Sequence, residues 1–409
     1  MHGPGLSSRG GTDLGRILSI PDGAVAIDGE RIVAVGRTAD LRRDFAPRAE
    51  LDAQGGLVIP GLVDAHTHPV FVSTREDEFE LRTQGKSYLE IAAAGGGILS
   101  SVRGVRAASK EDLLERLLLR LERFVDLGTT TVEAKSGYGL SLEAETKSLE
   151  VLAAARTRGI VDLVPTFLGA HDVPEEYRGR GADYVDLLIR EALPRVAAAR
   201  LADYADVFTE GHTFDLDASR RLMECARGLG LGVRMHVDQL SDLGGASLAA
   251  QLGAQSADHL EFVSEAGIQA LAMAGVIPVL CPLVPLYLRQ EREAPARRMI
   301  QAGLAPAIST DFNPGSCPLQ SLPEVMTWAA LRYRMSAAEC LTAATLNPAC
   351  SLARGSEIGT LEADKRADLV IFSCSNLRRL VSEFGSSRAR AVVVRGRVVR
   401  GAEQVRTRA

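Results

Sequence analysis

The chain has 409 residues, 46% hydrophobic and 24% charged, with a net charge of −5. This is enough apolar material for one barrel-sized domain with a smaller companion. The near balance of 47 basic and 52 acidic residues leaves no electrostatic footprint for nucleic acid or an anionic membrane.

The start, Met1-His2-Gly3-Pro4-Gly5, has no basic segment followed by an apolar run, and no stretch is long and apolar enough to be a transmembrane helix. Cys225, Cys281, Cys317, Cys340, Cys350 and Cys374 are scattered without a C-x-x-C pair and read as reduced thiols, so a cytoplasmic protein is expected. Residues 1–57 contain short β-prone pieces at 23–27 and 31–36, separated by Asp28-Gly29-Glu30, a hairpin signal. The far end echoes them at 367–372 and 391–399. Residues 1–57 and 355–409 are therefore expected to assemble one small β-sandwich domain, although two separate caps would also fit. Between them, over 58–354, strands alternate with amphipathic helices, the pattern of parallel β/α units. Eight candidate strands end near His66, Glu133, Ala170, Thr209, Met235, Ala257, Leu280 and Ser309. Helices are predicted over 109–128, 141–158, 183–199, 217–229, 244–252, 263–274, 293–303 and 319–333. In the first of these, Ser109 is placed as N-cap, Glu111 and Asp112 fill the first turn, and Gly128 closes it. Eight such units predict an α/β fold, a TIM-type (β/α)8 barrel.

The stretch Val58-Ile59-Pro60-Gly61-Leu62-Val63-Asp64-Ala65-His66-Thr67-His68 reads as a single apolar strand ending in His-x-His. Residues i and i+2 of a strand share a face, so both imidazoles can reach one ion. In barrels of this type, functional groups gather where the strands finish. Five of the seven histidines fall at such ends: His66, His68, His171, His236 and His259. Three neutral imidazoles, His66, His68 and His236, with the carboxylate of Asp311, suit one zinc or iron(II) ion with positions left for water. A bound metal draws the pKa of water toward about 7, and Asp311 is placed to take the proton. His259 is then free to hydrogen-bond a carbonyl under attack. The blander readings are a decorative His-x-His, a structural His259 satisfied by Asp258, and Asp311 as a helix cap, which Pro314-Gly315 argues against. His212 in Glu210-Gly211-His212 is read as a non-ligand.

These elements, with Ser73-Thr74-Arg75-Glu76, Gly95-Gly96-Gly97-Ile98-Leu99-Ser100, Lys135-Ser136-Gly137-Tyr138-Gly139-Leu140, Phe167-Leu168-Gly169-Ala170-His171 and Asp311-Phe312-Asn313-Pro314-Gly315-Ser316, resemble the amidohydrolase superfamily over roughly residues 20–400. Within it, the resemblance is to the imidazolonepropionase family. That resemblance implies hydrolysis of 4-imidazolone-5-propanoate to N-formimidoyl-L-glutamate in histidine degradation, one zinc or iron ion per subunit, and a homodimer. It places Arg75 on the substrate's propionate, Tyr138 and His171 on its ring, and Asn313, Gly315 and Ser316 at its polar end. Asp311, His259 and Gln239 form the catalytic group. Gln239 stands where the family often has Glu. A glutamine cannot shuttle a proton, so the base role falls to Asp311.

A second departure is Leu280-Cys281-Pro282-Leu283-Val284-Pro285-Leu286-Tyr287-Leu288, more apolar than the family's usual Leu-Pro-Gly-like turn and able to reshape the pocket. Two rivals stand beside this reading. A deaminase would carry Glu three residues after the strand-five histidine, where Gln239 stands. A non-catalytic barrel would not need all four proposed ligands intact. No Lys near Phe208-Thr209-Glu210 is available to bridge two metals, which favours one.

Overall fold

Eight parallel strands lie hydrogen-bonded in chain order: β1 (Leu62–Asp64), β2 (Thr129–Lys135), β3 (Asp162–Ala170), β4 (Tyr204–Thr209), β5 (Gly232–Val237), β6 (Ser256–His259), β7 (Ile277–Leu280) and β8 (Ala307–Ile308). The computed structural model describes residues 7–383, 385 and 389–407, so the segment at Met1-His2-Gly3-Pro4-Gly5 lies outside the described residues. The ring closes from β8 to β1 through a bridge between Thr67 and Phe312, where the His68 N–H donates to the Phe312 carbonyl at 2.8 Å. The fold is the expected (β/α)8 barrel.

The strands form because they are buried on both faces, as parallel strands under a layer of helices must be. All nine residues of β3 and all seven of β2 are buried. The helix Lys110–Asp126 shows how the outer layer is specified. Ser109 caps it by accepting from the Asp112 N–H at 3.1 Å, and Leu113, Leu117, Leu121 and Phe124 bury its inner stripe. Gly128, at φ 93°, then turns the chain into β2.

The stretch 58–68 is not one strand. Leu57–Pro60 pairs antiparallel with Leu369–Phe372, and only Leu62–Asp64 belongs to the barrel. Pro60-Gly61 separates them, and position 61 must be glycine because a Cβ there would lie 2.1 Å from Thr130 Oγ1 on β2. One apolar run thus serves two sheets, and apolar residues carry no mark of which sheet they join.

The terminal strands also meet across the chain. Leu57–Pro60, Leu369–Phe372, Ala389–Val394 and Arg397–Arg400 form a four-stranded antiparallel sheet, and Ala49–Leu51 pairs with Val405–Thr407. The hairpin Gly23–Asp28/Arg31–Arg37 turns at Asp28-Gly29-Glu30 as read. Ile32 from the hairpin shares a small core with Leu369, Ile371, Ala391 and Val393 of the four-stranded sheet.

Three helices in the β1–β2 connection, Glu76–Thr83, Tyr88–Ala93 and Ile98–Ala107, were not anticipated. The first has no apolar stripe, since its one buried residue is Arg82. The helix expected over 183–199 contains a π turn at Leu188–Ala192, just ahead of Pro194, which has no N–H to give to the preceding turn. Leu283–Leu288 is a further short helix, and its Leu288 lines the barrel-top pocket.

Asp162, the first residue of β3, ties the barrel to the terminal sheets. Arg366 Nη1 lies 2.9 Å and Arg395 Nη2 3.2 Å from its carboxylate, and Arg354 also pairs with it. Burial pushes the Asp162 carboxyl up, but Arg366 and Arg354 outweigh burial and hold it below the ordinary range. A carboxyl depressed on folding stabilises the protein above its unfolded pKa, and that contribution is lost as pH falls through the folded value. Asp162→Asn is expected to remove about 3 kcal/mol of stability at pH 7. In thermal scans, the gap between parent and variant should be full at neutral pH and close below about pH 4; a gap unchanged at pH 3 would contradict the ion-pair account.

Candidate active site

The ligand candidates converge at the barrel mouth, on the seam where β8 meets β1. His66 Nε2 and His68 Nε2 are 3.3 Å apart, and His68 Nε2 is 3.4 Å from His236 Nε2. Asp311 Oδ1 lies 3.3 Å from His68 Nε2 and 3.5 Å from His66 Nε2. Metal–nitrogen bonds of about 2.0–2.1 Å place tetrahedral donors about 3.3–3.4 Å from one another, which is the spacing found. Three imidazole nitrogens and a carboxylate oxygen facing inward at that distance suit a cation and little else. His66, His68 and Asp311 form one compact metal-competent group. The residues fit a single metal ion.

Burial holds two of the three imidazoles neutral, His68 and His236. At His66, Asp258 and Asp311 outweigh burial and Lys135 and hold the imidazole up at about 9, so a cation would have to displace its proton. Burial drives the His236 imidazole down to about 3. Burial opposes ionisation of Asp311, yet hydrogen bonding by His66 and His68 holds its carboxyl well below the ordinary range. Neutral imidazoles and an ionised carboxylate are the forms that bind metals.

Beneath the ligands lies a layer of buried charge that the sequence reading passed over. Asp258 Oδ2 accepts from His66 Nδ1 at 2.6 Å, and Asp206 Oδ2 lies 3.0 Å from His236 Nδ1. Such carboxylates fix the tautomer and aim the other ring nitrogen at the metal. Lys135 Nζ donates to Asp206 at 2.8 Å and to Glu133 at 2.9 Å and stands 3.9 Å from Asp258. Arg234 approaches Asp258 at 3.4 Å and donates to the Ala65 carbonyl at 2.8 Å. Burial would lower the Lys135 ammonium, but Asp206 and Glu133 more than offset it. A signal for this layer does exist in the sequence. Glu133/Lys135 and Arg234/His236 are i, i+2 polar pairs inside otherwise apolar strands, hence on one face.

The loop after β8 carries Asp311 in a left-handed conformation, φ 50°. Asp64 anchors it, accepting from Thr310 Oγ1 at 2.6 Å and from the Thr310 N–H at 3.2 Å. Asn313 spends its side chain on the same loop. Its Oδ1 accepts from the Gly315 and Ser316 N–H groups, and its Nδ2 donates to the Asp311 carbonyl and Ser316 Oγ. Gly315 is required for space, since a Cβ there would sit 1.6 Å from Arg75 Nη2. Arg75 is buried, and its Nε and Nη1 have no hydrogen-bond partner.

Tyr138 rides on a loop whose Gly137, Gly139 and Leu140 N–H groups all donate to the buried Glu145 carboxylate. His171 Nδ1 donates to the Gly137 carbonyl at 2.9 Å, which leaves Nε2 as an acceptor, and its ring stacks on His68 at 5.0 Å. Burial lowers this imidazole to about 4. Glu210 accepts from the Gln239, Leu240 and Ser241 N–H groups and so sets the loop that bears Gln239. Arg75, Tyr138, His171, Gln239, His259, Asp311, Asn313 and Ser316 all line one pocket with His68 and His236. Gly315 lies beneath Arg75, and His66 lies deeper. His212 is exposed, with its ring edge-on to Phe208. The apolar segment after β7 supplies Leu288 to the pocket wall and packs Tyr287 beneath Arg82, whose Nη2 donates to the Gly315 carbonyl.

A (β/α)8 barrel with this ligand group at its mouth is the architecture of a metal-dependent amidohydrolase. Residues 82–400 match the family model described as "Amidohydrolase family", and residues 23–46 match "Imidazolonepropionase-like composite domain, bacteria". The imidazolonepropionase of Solibacter usitatus is 47% identical over 96% of this chain and 94% of its own, and that of Symbiobacterium thermophilum is 47% identical over 95% and 92%. Among solved structures, 5-methylcytosine deaminase from Klebsiella pneumoniae shares the fold with a TM-score of 0.74 at 18% identity, covering 92% of this chain and 93% of that one. The chain belongs to the imidazolonepropionase family of amidohydrolases.

If Asp258 orients His66, Asp258→Asn should weaken metal binding roughly 10- to 100-fold. Titration of the purified protein against a competing chelator measures this. Unaltered affinity would show that the carboxylate does not steer the ligand.

Proposed function

We propose that the protein is an imidazolone-propionate hydrolase, opening the ring of 4-imidazolone-5-propanoate to give N-formimidoyl-L-glutamate in L-histidine degradation. The observation that carries this reading is Arg75. Its buried guanidinium has Glu78 3.7 Å away but two donor atoms without a hydrogen-bond partner. It lines the pocket that His68, His236 and Asp311 also line, as a cyclic amide with a carboxylate tail requires. His66, His68, His236 and Asp311 would hold one ion, zinc or iron(II), which when bound supplies Lewis acidity and a more acidic water.

The chain's own groups do the rest. Arg75 pairs with the propionate in bidentate fashion. His171 Nε2 accepts from a ring N–H, and Tyr138 packs against the ring. Gln239, Ser316 and the loop built by Asn313 and Gly315 hold the polar end. Asp311 takes the proton of the attacking water as the new C–O bond forms, while His259 hydrogen-bonds the carbonyl oxygen. Asp311 then returns that proton to the ring nitrogen as the C–N bond breaks. Leu288 and Phe208 supply apolar wall.

The division into residues 1–57 with 355–409 and a barrel over 58–354 is part of this reading, supported by the pairing of strands from both termini. So are a cytoplasmic location, a homodimer, and a small molecule as partner rather than nucleic acid or membrane; no helix among the described residues is long and apolar enough to cross a membrane. A deaminase of the kind seen among the solved neighbours is disfavoured by Gln239, which has no proton to move.

Incubating the purified protein with imidazolone propionate should abolish the substrate's ultraviolet absorbance. Metal-loaded protein without turnover would remove the substrate while leaving the amidohydrolase class intact, and ammonia released from purines or pyrimidines would revive the deaminase. Asp311→Asn is expected to abolish turnover. Arg75→Ala is expected to raise KM roughly 10- to 100-fold, the worth of a charged hydrogen bond; an unmoved KM would discard the propionate assignment.

A further inference from the structure

Glu261 is a carboxylate in an unusual place. It follows β6, is 1% exposed, and neither oxygen has a hydrogen-bond partner. Its one ion-pair contact among the described residues is His259 Nδ1, at 3.9 Å. Cys281 and Tyr333 feel its charge, but burial pushes both of their pKa values well above the usual range, and neither supplies a cation. Burying an unpaired carboxylate costs several kcal/mol, so a group left in this condition calls for an explanation.

The backbone is also strained to put it there. His259 and Leu260 take φ values of 78° and 71°, each costing on the order of 1–3 kcal/mol for residues that are not glycine. The turn is fixed by Leu260 N–H donating to the Val237 carbonyl at 3.2 Å and Phe262 N–H to the Asp238 carbonyl at 2.7 Å. Two left-handed residues in succession reverse the chain, so that the Glu261 carboxylate comes up against Nδ1 of a ring that lines the pocket. That Nδ1 is likewise buried and without a hydrogen-bond partner.

We propose that Glu261 is a positioning residue for His259, sharing a proton with Nδ1 so that Nε2–H is the edge offered to the substrate carbonyl. The inference rests on the reading that His259 contacts that carbonyl. Two arrangements satisfy it, a carboxylate with an imidazolium or a carboxylic acid with a neutral imidazole. In both, one proton lies between Oε1 and Nδ1 and another stays on Nε2. The contact is 3.9 Å in the protein without substrate, and catalytic hydrogen bonds commonly tighten in the substrate complex. As charge grows on the carbonyl oxygen, Nε2–H stabilises it and Glu261 balances the ring behind, as the carboxylate of a catalytic triad does for its histidine. Glu261 makes and breaks no bond with the substrate.

The test pairs Glu261→Met, which removes the hydrogen bond at similar volume, with Glu261→Gln, whose amide N–H can still donate to Nδ1. Glu261→Met should lower kcat roughly 10- to 100-fold, with KM within about twofold and the apparent Tm little changed. In the protein without substrate the carboxylate has no hydrogen bond to lose, and an apolar side chain of similar volume takes its place. Glu261→Gln should regain most of the lost rate. A Glu261→Met kcat within about threefold of the parent overturns the proposal. So does a Tm that falls in step with kcat, or a Glu261→Gln as slow as Glu261→Met. His259→Ala separates this inference from the reading beneath it. Full-rate His259→Ala would remove the carbonyl contact itself, whereas slow His259→Ala beside full-rate Glu261→Met would remove only the role of Glu261.

Discussion

Aiming three imidazoles at one point from two strands depends on holding the rings from behind. Buried carboxylates in the lower half of the barrel do so for two of the three, His68 Nδ1 having no hydrogen-bond partner. Asp258 holds His66 and Asp206 faces His236. These carboxylates are themselves locked by Lys135 and Arg234. None of the five charged side chains involved, Glu133 included, is more than 1% exposed. Replacing such a cluster with apolar side chains would often be neutral or stabilising, so its presence is not a matter of stability. It serves the direction of the ring nitrogens, and it keeps the carboxylates ionised in a place where burial alone would protonate them.

The same logic sets what was legible in the sequence. His66, His68, His236, His259 and Asp311 were findable because they end apolar strands, and a barrel gathers strand ends on one rim. The eight strands were legible for a related reason, as short β-prone segments alternating with amphipathic helices. Lys135, Asp206 and Arg234 lie within those strands, and a charged residue inside an apolar run looks like an interruption until its i+2 partner is seen to share its face. Gly61 is a different case. Pro60-Gly61 is a break signal inside Val58-Ile59-Pro60-Gly61-Leu62 that the reading as one strand passed over, and Thr130 leaves room for glycine alone, since a Cβ would sit 2.1 Å from its Oγ1. The helix Glu76–Thr83 was invisible because it buries an arginine rather than an apolar stripe.

That arginine matters to the pocket. Arg82 donates to the Gly315 carbonyl, and Gly315 in turn is the surface on which the Arg75 guanidinium lies. Asn313 fixes the loop from inside through four hydrogen bonds. The Arg75 guanidinium therefore packs on the same loop that carries Asp311, although it comes from the β1–β2 connection. The apolar segment after β7 meets this assembly through Tyr287, under Arg82, and supplies Leu288 to the pocket wall.

The two halves of the site differ in how they treat charge. Below the ligands the buried carboxylates are paired with Lys135 and Arg234. Above them, Arg75 has two donor atoms without a hydrogen bond and Glu78 3.7 Å away, His171 offers an acceptor, and neither oxygen of Glu261 has a hydrogen-bond partner. Uncompensated groups weaken a fold, and here they face or back the space where a charged, hydrogen-bonding substrate would sit. Gln239 sharpens the point. With glutamine in the position where a deaminase keeps its proton carrier, the proposed reaction divides proton transfer and carbonyl polarisation between Asp311, after β8, and His259 with Glu261, at the end of β6 and just after it. Asp311 and His259 both have left-handed backbone.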